Sequence, residues 1–168
     1  MANIAGKDVG TNDLGVLVGG ALLFIFSFFH WFGGKVCVDG ECGHVGGGIS
    51  GWSSGFLAWL GIVLGLAAAV LVALRIFTSV KLPELPVSQA MLELGLAALA
   101  LLLIIIKLIV GYKKSAFGFS ASVGRSFGLY LGLIAVAVEA VFAFLSFQAT
   151  GEKLPWDKGG GTATPPAA

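Results

Sequence analysis

The sequence predicts an all-α integral membrane protein, built as a bundle of four transmembrane helices. Of its 168 residues, 57% are hydrophobic and only 11% are charged, and the mean hydropathy is +0.97. In soluble domains about a quarter of the residues carry a charge. The apolar residues also gather into runs of roughly 20 residues, the length that spans a hydrocarbon core about 30 Å thick. These runs cover approximately residues 14–32, 56–77, 91–112 and 127–147.

The first run resembles a signal peptide in its position, because it follows a short polar start. It is longer than the apolar part of a signal peptide, and it ends in Phe28-Phe29-His30-Trp31-Phe32 without a small-residue cleavage site. We therefore predict a retained first helix. Trp31 is expected at the membrane interface, where amphipathic aromatic rings prefer to lie.

The other three runs are predicted to be helices because a backbone inside the bilayer must satisfy its own hydrogen bonds. The second run begins Phe56-Leu57-Ala58-Trp59-Leu60-Gly61, and the fourth begins Phe127-Gly128-Leu129-Tyr130-Leu131-Gly132. This weak similarity indicates either two repeated helical hairpins or chance similarity among apolar helices.

The organisation of the chain is predicted as a transmembrane domain of residues 1–150 followed by a flexible, Gly/Pro-rich tail of residues 151–168. Four crossings place both termini on one side of the plasma membrane. The Lys and Arg residues divide almost evenly between the two sides, so the positive-inside rule barely chooses the orientation. We predict cytoplasmic termini, because the first loop, with Cys37 and Cys42, then lies in an oxidising space.

Cys37 and Cys42 are the candidates for a disulfide. They flank Val38-Asp39-Gly40-Glu41, and the Asp-Gly pair favours a turn that would bring the two thiols together. His30 and His44 lie nearby in the sequence, but their spacing matches no standard zinc pattern. We therefore predict an extracytoplasmic disulfide and no metal site.

Glu139 is the candidate intramembrane polar site, because it lies near the middle of the fourth run, where an acidic side chain costs about 2.5–3.5 kcal/mol. Helical periodicity places it on a face of small residues that another helix can approach closely. That face comprises Gly128, Gly132, Ala135, Ala143 and Ser146. The carboxyl is interpreted either as a protonated hydrogen-bonding link between helices or as a proton or cation site. Lys107 is the nearest basic candidate partner, although its long side chain can instead extend to the lipid headgroups.

Glycines spaced four residues apart give three of the four predicted helices a small-residue face. The pairs are Gly15 with Gly19, Gly61 with Gly65, and Gly128 with Gly132. This spacing lets helix backbones approach closely, either within the bundle or at an interface with another membrane protein.

Several segments together carry a resemblance to known membrane proteins. They are Trp31 after the first run, the segment from Gly51 to Gly61, Lys81-Leu82-Pro83-Glu84-Leu85-Pro86, and Phe127-Gly128-Leu129-Tyr130. Over most of its length the chain resembles uncharacterised actinobacterial four-helix integral membrane proteins. More distantly, it is similar to the membrane part of the mycobacterial 34 kDa antigen-like family. The resemblance implies no activity and supplies no catalytic residues for this chain.

The functional prediction follows from what the sequence contains and lacks. It has no constellation of catalytic or cofactor-binding residues, so we predict that the protein is not an enzyme. A net charge of +1, with scattered Lys and Arg, argues against nucleic-acid binding. The leading hypothesis is a non-catalytic membrane subunit or scaffold of a cell-envelope or secretion-related complex, which binds other membrane proteins or copies of itself in the lipid bilayer. The alternative is a small proton- or cation-coupled transporter, or an oligomeric pore, centred on Glu139.

Overall fold

In the part of the chain that the structure describes, four α-helices form the bundle. The computed structural model describes residues 2–4, 7–38, 40–77, 88–116 and 119–151. The helices are α1 (Thr11–Ser27), α2 (Phe56–Phe77), α3 (Gln89–Val110) and α4 (Phe127–Ala149). By length and composition, α2, α3 and α4 can each cross a membrane, which confirms three of the predicted spans. Apart from Gly151, the predicted tail lies outside the described residues.

The described residues are mostly helical, as predicted, but the connections at one end of the bundle are strands, so the fold is not purely all-α. The four strands are β3 (His30–Val38), β4 (Glu41–Ser50), β5 (Tyr112–Ala116) and β6 (Phe119–Arg125). They form an antiparallel sheet in the order β4-β3-β6-β5, and β1 (Ala2–Ile4) pairs separately with β2 (Lys7–Val9). These strands were not predicted, because alternation of apolar and polar residues extends over only a few positions in each. The neighbouring helical runs have a much stronger hydrophobic signal.

The first helix ends five residues earlier than predicted, at Ser27. The chain then turns into β3, and Trp31 folds back into the protein, where it is 0% exposed. Its indole Nε1 donates a hydrogen bond to the Phe26 carbonyl at 2.9 Å. The prediction that Trp31 anchors the helix at the lipid interface is therefore wrong. Hydropathy did not reveal the turn, because phenylalanine raises the mean hydropathy of a segment equally in a transmembrane helix and in a buried turn.

The helices form a closed ring. α1 packs mainly on α4, and α2 packs mainly on α3, while α1–α2 and α3–α4 contacts complete the ring. Because α1 and α3 run opposite to α2 and α4, the N-terminus of α1 and the C-terminus of α4 share one end of the bundle. We call this the terminal end, and the opposite end, which carries the four-stranded sheet, the sheet end.

The two halves of the chain share one order of elements: helix, β-hairpin, helix. Phe56 and Phe127 each begin the second helix of their half. The sheet does not repeat in the same way, since its two central strands are the first strand of one hairpin, β3, and the second strand of the other, β6. The repeat of two hairpins therefore stays a prediction.

Candidate functional site

The carboxyl group of Glu139 lies inside the helix bundle, where the side chain is 0% exposed. Glycines of two neighbouring helices make room for it. A Cβ atom on Gly19 of α1 would lie 2.8 Å from the Glu139 Cβ, and one on Gly65 of α2 would lie 3.2 Å from Oε2. Gly20 faces the other oxygen, since a Cβ there would lie 3.6 Å from Oε1. Any larger residue at Gly19 would force α1 and α4 apart.

Neither oxygen of the Glu139 carboxyl has a hydrogen-bond partner among the described residues. Buried polar groups in folded proteins nearly always have such a partner, so an exception requires an explanation. In the described part of the chain, no group of three His, Cys, Asp or Glu side chains comes together. Calcium takes six to eight oxygen ligands, and magnesium also prefers several. The surroundings of Glu139 therefore suit a proton better than a divalent metal ion.

Apolar layers separate Glu139 from both ends of the bundle, and they differ in side-chain size. Toward the terminal end, the fully buried residues form a layer of small and medium side chains, Val16, Ala68, Val72, Ala97 and Ala143. The larger side chains of Leu17, Ile76, Leu94, Leu96 and Phe142 pack against this layer while remaining partly exposed. Toward the sheet end, the core contains the bulkiest buried side chains, among them Leu23, Trp31, Phe32, Ile62, Ile104 and Leu129. The fully buried side chains are thus smaller at the terminal end.

A polar cluster lies at the terminal end, beyond the small-residue layer. Arg75 of α2 forms a salt bridge with Asp13 of α1, and its Nη1 lies 3.6 Å from Oε1 of Glu93 on α3. The Ser146 hydroxyl of α4 donates to Oδ1 of Asp13 at 3.0 Å. The cluster therefore connects all four helices. The sequence analysis missed it, because its members are far apart in the chain and no local pattern joins them.

Within this cluster, Glu93 is buried almost as completely as Glu139, at 1% exposure. Neither of its oxygens has a hydrogen-bond partner in the described residues, although Arg75 lies within ion-pair distance. An open cavity of about 550 Å³, lined by Asn12, Asp13, Arg75 and Ser146, adjoins the cluster. Ser146 is two helical turns from Glu139, or about 10 Å along α4. Polar groups therefore reach to within two turns of the buried carboxyl.

Lys107 and Glu139 are not brought together. The Lys107 Nζ donates to the Gly111 carbonyl at 3.0 Å and lies 5.1 Å and 5.2 Å from the ring centres of Phe32 and Tyr112. This is cation–π geometry, and it holds the ammonium group at the sheet end. The side chain is 7% exposed, so the aromatic rings, rather than lipid headgroups, surround its charged end.

The paired glycines all face side chains or backbone of this chain. Gly15 lies against Phe142, Gly19 against Glu139, Gly61 against Ile104, Gly65 against Leu23, Gly128 against the His30 carbonyl, and Gly132 against Trp31. In most of these cases an added Cβ would come closer than 3.0 Å to its neighbour. The close approach that these glycines permit is therefore used within the bundle.

Cys37 and Cys42 lie directly opposite each other in the β3–β4 hairpin, at the sheet end. Their Cα atoms are 4.1 Å apart, and their sulfur atoms are at disulfide distance. Gly40, with a φ of +91°, lies in the turn between the two strands. His44 pairs with Lys35 and His30 with Ser50, so the two histidines occupy different positions along the hairpin.

Comparison with known proteins adds no relative from which a function could be transferred. No protein-family model, curated protein or solved structure matches this chain. The resemblance to actinobacterial four-helix membrane proteins therefore stays a prediction.

Proposed function

We propose that this chain is a small proton-transporting protein of the plasma membrane, in which Glu139 is the proton-binding group. The observation that carries the proposal is a fully buried carboxyl whose oxygens have no hydrogen-bond partner among the described residues. Removing a charged carboxylate from water costs several kcal/mol, even after the protein relaxes. A bound proton removes that charge. Ionisable residues inside membrane bundles commonly belong to proton or ion pathways.

In this proposal all four helices cross the bilayer, and the termini are cytoplasmic. α1 has 17 residues and is therefore about 25 Å long. The chain continues beyond Ser27 toward the sheet end. Protons reach Glu139 from the terminal end. There, an open cavity lies beside Asp13 and Arg75, and Ser146, which also lines it, is two helical turns from Glu139.

The glycines around Glu139 support a role in movement as well as in packing. Gly19 presents backbone rather than a side chain to α4, whereas Gly20 lies mainly against Ala69 of α2 and Gly65 mainly against Leu23 of α1. Sliding of packed helices is one of the ordinary ways in which proteins change state, and a smooth helix face interlocks less than one with large side chains. Binding or release of the proton at Glu139 can then change the distances between α1, α2 and α4.

A second candidate function is the scaffold hypothesis, and the sheet favours it. β4 is an outer strand of the described sheet, and the exposed edge of a strand is a template onto which another chain can pair. The glycine pairs support the scaffold hypothesis less, because they face this chain's own residues. Purification in mild detergent distinguishes the two candidates, since a stoichiometric complex with a second protein favours the scaffold.

The proposal is tested by proton uptake into sealed vesicles that contain the purified chain and a trapped pH indicator. A potassium gradient with valinomycin sets the membrane potential. We expect uptake above that of protein-free vesicles, and we expect Glu139→Gln to abolish it, because an amide keeps the shape of the protonated acid but cannot release a proton.

The control for this experiment is Gln148→Glu in combination with Glu139→Gln, which restores the net charge at the terminal end but not inside the bundle. It should remain inactive. Uptake in the Glu139→Gln variant equal to that of the natural chain, or no uptake by the natural chain, contradicts the proposal.

A further inference from the structure

A second site lies at the sheet end, apart from Glu139, where three cationic side chains line one cavity. The cavity has a volume of about 300 Å³ and lies between the end of α3 and strands β3, β5 and β6. Its cationic residues are Lys35, Lys113 and Arg125, and among the described residues no Asp or Glu lines it. Lys35 and Lys113 also form no salt bridge with any described residue. Like charges gathered in this way repel one another until an anion joins them.

Strand pairing and two glycines bring these cations together. A Cβ on Gly124 of β6 would lie 3.6 Å from the Lys35 Cβ, and one on Gly111 would lie 3.7 Å from Nη2 of Arg125. Gly111 ends α3 with a φ of +70°, a conformation that favours glycine and turns the chain sharply into β5. The absence of side chains at these two glycines therefore leaves room between the cationic residues that line the cavity.

Arg125 is fixed in position and still has donors to offer. Its Nε donates to the Leu108 carbonyl at 2.7 Å and its Nη2 to the Ile109 carbonyl at 3.1 Å. These bonds satisfy two carbonyls at the end of α3, which have no partner within the helix. A guanidinium has five N–H donors, so three remain for a ligand. Arginine in such a fork geometry is well suited to phosphate.

An exposed apolar side chain lines the cavity, and others are close to its lining residues in the chain. Val110 lines it and is 54% exposed, the adjacent Ile109 is 71% exposed, and Phe127, two residues after Arg125, is 62% exposed. In a membrane-spanning bundle, such side chains face lipid. The cavity is thus lined by cationic residues, and exposed apolar side chains lie near them in the chain.

The geometry points to a binding site for the phosphate headgroup of an anionic phospholipid in the leaflet nearest the sheet. The cations and the free donors of Arg125 suit the phosphate, which a soluble phosphate compound would also supply. The apolar surface of Ile109, Val110 and Phe127 suits acyl chains, which only a lipid supplies. Basic pockets between membrane helices bind lipid headgroups by the same chemistry. This inference does not depend on the proposed role of Glu139.

The test is native mass spectrometry of the full chain in detergent, titrated with phosphatidylglycerol or with zwitterionic phosphatidylcholine. We expect tighter binding of phosphatidylglycerol. The double variant Lys35→Gln/Lys113→Gln should weaken it about 25-fold, because each basic residue near an anionic lipid contributes about a fivefold factor. Arg125 is left unchanged, so the end of α3 keeps its hydrogen bonds.

The matched control is Lys153→Gln/Lys158→Gln, which removes the same charge from the tail and should leave binding unchanged. An equal loss in both double variants, or equal binding of the two lipids, overturns the inference. Displacement of phosphatidylglycerol by an equal concentration of glycerol phosphate overturns the assignment to a lipid and indicates a site for a soluble phosphate compound. Absence of such displacement supports the lipid.

Discussion

The two ends of the bundle close off Glu139 in different ways. At the sheet end, the large buried side chains of Trp31, Phe32 and Leu129 lie beneath an antiparallel sheet, and Lys107 is held under two aromatic rings. At the terminal end, the fully buried side chains between Glu139 and the salt-bridged cluster are smaller, and an open cavity adjoins that cluster. Tight packing resists change, whereas salt bridges exposed to water rearrange readily. The comparison indicates that the terminal end rearranges more readily than the sheet end, which must also open for a proton to cross the membrane.

We expect the largest loss in the free energy of unfolding from a substitution at the sheet end. Trp31→Ala removes a fully buried indole and its hydrogen bond to Phe26, so we expect a loss of about 3–5 kcal/mol in the free energy of unfolding. Val72→Ala, in the small-residue layer, should lose only about 1.5 kcal/mol, since it removes two methyl groups. Reversible unfolding in mixed micelles measures both. Equal losses would mean that the two ends are packed alike.

The next effect concerns the helix spacing at Glu139, between the two ends. Gly19→Val places a side chain where a Cβ already lies 2.8 Å from Glu139, so overpacking should cost about 1–3 kcal/mol. The matched control is Gly95→Val in α3, because no heavy atom lies within 4 Å of a Cβ at that glycine. The same unfolding experiment compares them. A Gly95→Val variant as unstable as Gly19→Val would show that glycine is needed for the helices in general and not for the carboxyl.

We expect a smaller loss in the free energy of unfolding from a substitution in the polar cluster at the terminal end. Arg75→Gln leaves Glu93 buried without its cation, and we expect a loss of about 1–2 kcal/mol. This is below the value for a fully buried pair, because the Arg75 side chain is 32% exposed. Adding Glu93→Gln should recover part of the loss, since no buried charge then lacks a partner. A double variant less stable than Arg75→Gln alone would argue against the ion pair.

The sequence predicted those features that a single segment contains. The lengths of α2, α3 and α4 follow from uninterrupted apolar runs, and the small-residue face of α4 follows from its own periodicity. The Asp13, Arg75 and Glu93 cluster did not follow, because it joins three helices whose order around the bundle no local pattern reports. The glycines next to Glu139 were recognised as packing positions, but their contact with the carboxyl depends on which helices pair.

The end of α1 and the sheet required information of another kind. Four of the five residues 28–32 are Phe or Trp, so the apolar run was extended through them. Their turn depends on the pairing of β3 with β4 and β6 and on the fit of Trp31 against Gly132. β4 is the next strand in the chain, but β6 and Gly132 belong to its second half, and no local pattern reports them.

The most direct test of the account is whether Glu139 itself gains and loses a proton. Infrared difference spectra of the purified chain between acidic and alkaline buffers report the carbonyl stretch of a protonated carboxyl. The chain has nine Asp and Glu residues, so the contribution of Glu139 is the part of the pH-dependent band that its substitution removes. We predict that Glu139→Gln loses a component of the band that Glu93→Gln retains. A pH-dependent band that is the same in Glu139→Gln and in the natural chain would contradict a proton-binding role for Glu139.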